Sequence, residues 1–296
     1  MIRKIVVPLD GSPESAAILP FVRSVLRRRR ADVVLVQAVG WPFVETYGFI
    51  GPSLVSSAEK DLAEARRSLG DLDGRRVGVV ARFGIPARVI LQVAEDEEAS
   101  LVAMTTRSDA GWSRTLFGSV TEEVVRRSRA PVLAVPVATG GVSKTVAPGE
   151  RGLRKILFPF DDSQAALDVL QPVIEMAQLF DAEVLLLSLP NDPAPQGWRN
   201  AVTEFDLATL LRKRDVKTTC LESSGPPLEE IESAAWTNEA DLVALALQSP
   251  ARSSRIARAP FVRRLLRRTR RPVLVIRDRR SSLVQEAHPL RIRTAG

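Results

Sequence analysis

Short apolar runs alternate along this chain with segments whose apolar positions recur every three or four residues. Lys4–Leu9 (KIVVPL) is almost continuously apolar, as a strand buried on both faces requires. Ser12 and Pro13 supply a helix N-cap and a first helical residue, after which Ile18, Val22, Val25 and Leu26 fall on one helix face. Asp32–Val39 reads as a second strand. Ser57–Leu69 reads as a second helix with Leu62, Ala65 and Leu69 inward. A third strand over Arg75–Phe83, a third helix over Ala87–Glu95, a fourth strand over Leu101–Thr106, a fourth helix over Ser119–Arg129 and a fifth strand over Val132–Val135 follow. Strands alternating with helices predict an α/β fold, a parallel sheet with helices on both faces.

The pattern then repeats. Residues 4–12 are KIVVPLDGS and residues 155–163 are KILFPFDDS, at an offset of 151. Residues 131–135 (PVLAV) and 272–276 (PVLVI) match at an offset of 141, as do Gly84-Ile85-Pro86 and Gly225-Pro226-Pro227. The shorter offset places a longer loop in the first copy. The chain is a tandem duplication: a first domain at 1–137, a polar linker at 138–152, a second domain at 153–277 and a polar tail at 278–296. The predicted fold is two doubly wound, parallel, five-stranded Rossmann-like sheets.

Composition narrows the chemistry. Hydrophobic residues make up 45% and charged residues 26% of the 296, the balance of an ordinary globular protein rather than a disordered one. No apolar run approaches a membrane span, and the N-terminus enters a strand pattern at once, so a cytoplasmic location is expected. Cys220 is the one cysteine, read as a small buried strand residue, and His288 is the one histidine. A Cys/His metal cluster and a histidine-based triad are therefore excluded. The net charge of +7 comes almost wholly from arginine. The clusters are Arg27 to Arg30 and the series Arg263, Arg264, Arg267, Arg268, Arg270 and Arg271, whose helix turns Phe261, Val262, Leu265 and Leu266 inward. With no aromatic residue interleaved to stack bases, these read as solvated faces, and a nucleic-acid partner is not expected.

In doubly wound sheets ligands sit beyond the C-terminal strand ends, where strand order reverses. There the first and fourth strands carry Pro8-Leu9-Asp10 and Met104-Thr105-Thr106-Arg107-Ser108. After them comes Gly118-Ser119-Val120-Thr121, a glycine turn opening a helix. The free N–H groups and positive dipole end of such a helix suit an anion. Ser119 and Glu122 also form a capping-box spacing that needs no ligand, and cap and anion site are compatible. Asp10 is equally suited to ribose hydroxyls and to holding its own turn.

Taken together, the chain resembles the universal stress protein family in its tandem form. That family's nucleotide motif runs Gly-x2-Gly-x9-Gly-Ser/Thr; here it reads Thr105-x2-Ser108-x9-Gly118-Ser119, with the second half intact. The resemblance implies an adenine nucleotide alpha hydrolase-like fold with strand order 3-2-1-4-5 in each domain. It implies that the two fifth strands pair antiparallel, giving an internal pseudo-dimer, with a homodimer as a further assembly. It implies an ATP site, with Mg2+ as a companion ion, in the first domain. Pro8, Leu9, Asp10, Ala38 and Met104 would meet the adenosine. Thr105, Arg107, Ser108, Gly118, Ser119, Val120 and Thr121 would meet the phosphates.

In the second domain Ala259-Pro260 stands in place of Gly118-Ser119, and Pro260 has no N–H to offer an anion. Ala246 and Ser249 replace Thr105 and Ser108, and Asp161 is followed by Asp162. That domain is expected to bind no ATP. The first functional reading is thus a stress-response module holding ATP as a regulatory ligand in domain 1. The second is a nucleotide-free structural or interaction protein. A slow ATPase, with Asp10 and Asp109 as the nearby carboxylates, is the third. The loop 40–57, with Trp41, Phe43, Tyr47 and Phe49, reads either as a lid or as a subunit contact.

Overall fold

The computed structural model describes residues 2–40, 51–70, 75–108, 119–138, 152–161, 165–189, 203–247 and 256–277. Two compact units divide the chain, Met1–Gly152 and Leu153–Gly296. The first runs β1 (Lys4–Leu9), α1 (Pro13–Ala16), α2 (Leu19–Arg28), β2 (Asp32–Val39), α3 (Gly51–Ser68), β3 (Val77–Phe83), α4 (Pro86–Asp96), β4 (Leu101–Ser108), α5 (Ser119–Arg127) and β5 (Val132–Ala138). The second runs β6 (Lys155–Phe160), α6 (Ala165–Phe180), β7 (Glu183–Ser188), α7 (Glu204–Arg212), β8 (Thr218–Glu222), α8 (Pro227–Thr237), β9 (Leu242–Leu247), α9 (Ala259–Arg268) and β10 (Val273–Arg277).

Each unit is a doubly wound α/β sheet, as the alternation of apolar patterns predicts. Strand order is β3-β2-β1-β4-β5 in the first and β8-β7-β6-β9-β10 in the second. All pairings within each unit are parallel. The apolar runs become the central strands: Ile5, Val6 and Val7 are fully buried, as are Leu242, Val243, Ala244 and Leu245. Each such Val, Leu or Ile contributes about 1.5–3 kcal/mol relative to exposure. In unit 1, α3 packs on β2 and β3, α4 on β1 and β2, and α5 on β4 and β5.

Three expectations change. The first predicted helix is broken into α1 and α2, and Pro20 is the reason. Pro20 lacks an N–H, and in a continuous helix its ring would meet the carbonyl of Ala16, where α1 ends. The second helix starts at Gly51 rather than Ser57, so the C-terminal part of the aromatic loop is helical. Residues 41–50, with the four aromatics, lie outside the described part. Cys220, expected to be buried, is half-exposed because β8 is the edge strand of its sheet.

The duplication holds residue by residue. Thr121, Val124 and Val125 are the buried positions of α5; Val262, Leu265 and Leu266 are those of α9, each 141 residues on. The spans of α4 and α8 also differ by 141 at both ends. A position in one unit therefore identifies its counterpart in the other.

Candidate functional site

In unit 1 the strand order reverses at β1 and β4, which lie side by side with Ile5 opposite Leu101 and Val6 opposite Val102. Side chains alternate along a strand, and directly opposed residues share a face. Val6 opposes both Val34 and Val102. Counting by twos, Pro8, Ala38, Met104 and Thr106 therefore occupy one face at the C-terminal ends of three neighbouring strands. Leu9, opposite Gln37, belongs to the other face with Thr105. Pro8, Leu9 and Met104 are buried, and Ala38 and Thr105 are half-buried.

Beyond β1 the chain turns sharply. Asp10 is exposed, and its Oδ1 accepts hydrogen bonds from the Ser12 N–H at 3.0 Å and from the Ser12 hydroxyl. The Ser12 hydroxyl caps α1 by accepting from the Ser15 N–H at 3.1 Å, and the Ser15 hydroxyl accepts from the Asp10 N–H at 3.2 Å. Asp10 thus does hold the turn. Gly11 has φ +80°, a conformation that glycine adopts at little cost. A Cβ there would lie 3.1 Å from Asp61 Oδ2 and 3.6 Å from Gln37 Nε2, so two polar groups close on this backbone.

Across the site, α5 begins at Ser119. Ser119 is the first helical residue of α5 rather than its cap. Ser119 is exposed, Val120 half-buried and Thr121 buried. The Thr121 hydroxyl donates to the Thr105 carbonyl at 3.5 Å and so ties the helix start to the end of β4. Arg107 and Ser108 extend β4 in register with Val137 and Ala138. Their side chains, together with Gly118, Asp109 and the rest of 109–118, lie outside the described part. One turn into α5, a hydrogen bond from Arg126 holds the Glu123 carboxyl below its usual range, reinforced by the charges of Arg126, Arg127 and Arg88.

Two buried polar atoms here meet no partner among the described residues. Thr106 is 3% exposed and its Oγ1 is unsatisfied; Gln37 Oε1 is likewise buried and unsatisfied. Buried hydroxyls and amides are ordinarily paired, so these positions are costly unless something polar meets them. Neither residue was among the sequence candidates. Gln37 carried a signal, as the lone amide inside an apolar strand; Thr106 carried none beyond its place beside Thr105.

Unit 2 differs at the corresponding places. Ala38 becomes Leu189, 2% exposed, and Thr106 becomes Leu247, 4% exposed. Asp161, the counterpart of Asp10, is 4% exposed rather than open to solvent. Before α9, Ile256 and Ala257 are buried, and the N-cap Arg258 makes no side-chain cap bond. Leucine thus fills the Ala38 and Thr106 positions in unit 2. Among the described residues no group of His, Cys, Asp and Glu could hold a metal ion, and no helix is long and apolar enough to cross a membrane.

Fold and strand-end geometry define a tandem, doubly wound α/β protein with a candidate polar ligand corner in its first unit. The chain belongs to the universal stress protein family, whose family model matches residues 1–136 and 152–277. Universal stress protein MJ0531 of Methanocaldococcus jannaschii is 28% identical over 139 residues, 45% of this chain and 81% of that protein. Universal stress protein Rv2623 of Mycobacterium tuberculosis is 32% identical over 135 residues, 44% of this chain and 43% of the other. A crystal structure of a universal stress protein from Archaeoglobus fulgidus superposes with a TM-score of 0.68 at 17% identity. It covers 93% of this chain and 96% of that one.

Proposed function

We propose that this chain is a cytoplasmic stress-response module that holds ATP in unit 1 as a regulatory ligand. The observation that carries this reading is the hydroxyl of Thr106, which has no partner among the described residues. It is buried beside the strand-order reversal, on the face of Ala38 and Met104, and is replaced by Leu247 in unit 2. Pro8, Ala38 and Met104 supply apolar surface for a base on one face of the sheet, and Leu9 packs on the other face. Asp10 offers acceptors for ribose hydroxyls. Gly118, Ser119, Val120 and Thr121 open α5, whose N–H groups and dipole end would face the phosphates, with Thr105, Arg107 and Ser108 alongside. ATP would favour one arrangement of the protein and so report energy state to a partner.

The family's tandem units fit an internal pseudo-dimer. Association of whole chains into a homodimer is a separate expectation, measured by light scattering. The test of nucleotide holding is extraction of the purified chain with acid and chromatography of the extract. The reading expects adenine nucleotide near one per chain. Absence of nucleotide, combined with no stabilisation by added ATP, would favour the nucleotide-free scaffold instead. Under that outcome the polar corner is a structural feature of the turn.

A further inference from the structure

The two units differ in charge along α5 and its counterpart α9. In unit 1 the arginines on α5 and just after it are matched by acids: Arg126 and Arg127 bond Glu123, and Arg129 bonds Glu95 on α4. At the counterpart positions 141 residues on, Glu122 and Glu123 become Arg263 and Arg264, and Glu95 becomes Trp236. Residues 260–272 hold six arginines and no acid. The exchange is coordinated: the acids that face arginine in one copy are arginine and tryptophan in the other.

The fold then brings these changes together. Helices α8 and α9 lie against each other. Trp236, in the last turn of α8, is 74% exposed. The Arg271 guanidinium sits 5.9 Å from its ring centroid, within cation–π range. The sequence shows no aromatic residue among these arginines, because Trp236 is more than twenty residues away and only tertiary packing places it there. The acids of α8 fall in its first two turns. Glu232 meets Arg268 at 2.8 Å, and Glu230 folds over Gly225, where a Cβ would be 2.3 Å from its Oε1.

We propose that the α8–α9 face of unit 2 binds single-stranded nucleic acid, its arginines taking backbone phosphates and Trp236 stacking on a base. Arginine suits phosphate through its planar, bidentate fork. One exposed aromatic ring beside a cationic stripe is the arrangement that binds unstacked bases without sequence preference. A lipid surface would call for a broader apolar patch, and Trp236 is the one large apolar side chain exposed on α8 and α9 among the described residues.

The test is fluorescence anisotropy of a labelled oligo(dT) of about 20 nucleotides with the full chain, across roughly 50 to 200 mM salt. Binding is expected to weaken steeply with salt. Arg263→Glu/Arg264→Glu, which copies the acids of α5, should weaken binding by about tenfold or more. It should also flatten the log–log salt slope by about 1.4, at about 0.7 per phosphate contact. Trp236→Glu should weaken binding about fivefold or more with a smaller change in slope, and Trp236→Phe should retain most of it. All of these residues are on the surface, and circular dichroism checks that each variant folds. Binding should persist in Gly118→Ala/Ser119→Pro, which separates this face from the ATP reading of unit 1. The proposal is overturned by absence of oligonucleotide binding, by binding indifferent to the arginine pair, or by loss of binding in the unit 1 variant. Capture by phosphatidylserine-rich vesicles without capture of the oligonucleotide also overturns it.

Discussion

Replacing Thr106 with valine should stabilise the protein and weaken its hold on ATP. Thr106 is 3% exposed, and its hydroxyl finds no partner among the described residues. A buried unpaired hydroxyl costs about 1–3 kcal/mol, and valine has nearly the same shape without it. A gain of about 1–2 kcal/mol is therefore expected for the ligand-free chain. For a unit of about 150 residues each kcal/mol moves Tm by about 2–4 °C, so Tm should rise by about 2–8 °C. The ligand arm has the opposite sign. If the hydroxyl meets the nucleotide, its loss should raise the ATP Kd about fivefold, from a hydrogen bond of about 1 kcal/mol. Thermal unfolding followed by circular dichroism, with and without millimolar ATP and magnesium, reads both arms. A ligand-free Tm below wild type would refute the claim that the hydroxyl is unsatisfied. An unchanged ATP-induced gain in Tm would remove Thr106 from the site.

Other outcomes follow from single contacts. Gly11→Ala and Gly70→Ala impose a side chain at the same φ of +80°, but only Gly11 has Asp61 Oδ2 at 3.1 Å from the new Cβ, while Gly70 faces open space. Urea unfolding should show about 1–2 kcal/mol lost for Gly70→Ala and more for Gly11→Ala, with Asp61→Ala removing the difference; equal losses would mean that Asp61 moves aside freely. Burial, helped by a hydrogen bond and charge from Glu204, pushes the Cys220 thiol up to about 11. At pH 8 iodoacetamide should label the native chain on the order of a hundredfold more slowly than the unfolded chain, with Glu204→Gln recovering part of the rate. A native rate equal to the unfolded one would contradict this. The same raised pKa contributes stability that is complete below about 8.5 and is lost as pH climbs through about 11. The urea midpoint should fall over that window, and less so in Cys220→Ser.

The sheet was legible because central strands must be apolar on both faces. Lys4–Leu9 and its copy Lys155–Phe160 announce themselves, and the offset of 141 matches the buried positions of α5 and α9. Helix boundaries were less legible. The break at Pro20 follows from one missing N–H inside an otherwise unbroken apolar stripe. The early start of α3 at Gly51 lies where local composition reads as loop. Of the site, the Asp10 turn and the Thr121 start of α5 were visible as local motifs. Gln37 showed only as a lone amide in an apolar strand and Thr106 not at all, because an orphaned polar atom is defined by what surrounds it in space. Trp236 beside Arg271 was hidden for the same reason.

The central claim is that unit 1 holds ATP, and calorimetric titration of the intact chain with ATP and magnesium tests it most directly. The companion titration uses Gly118→Ala/Ser119→Pro, which copies the Ala259-Pro260 of unit 2 into unit 1. The account predicts binding near one ATP per chain with micromolar affinity, about −8 kcal/mol, lost in the double variant. No heat up to millimolar ATP, or binding that survives in the double variant, would contradict it.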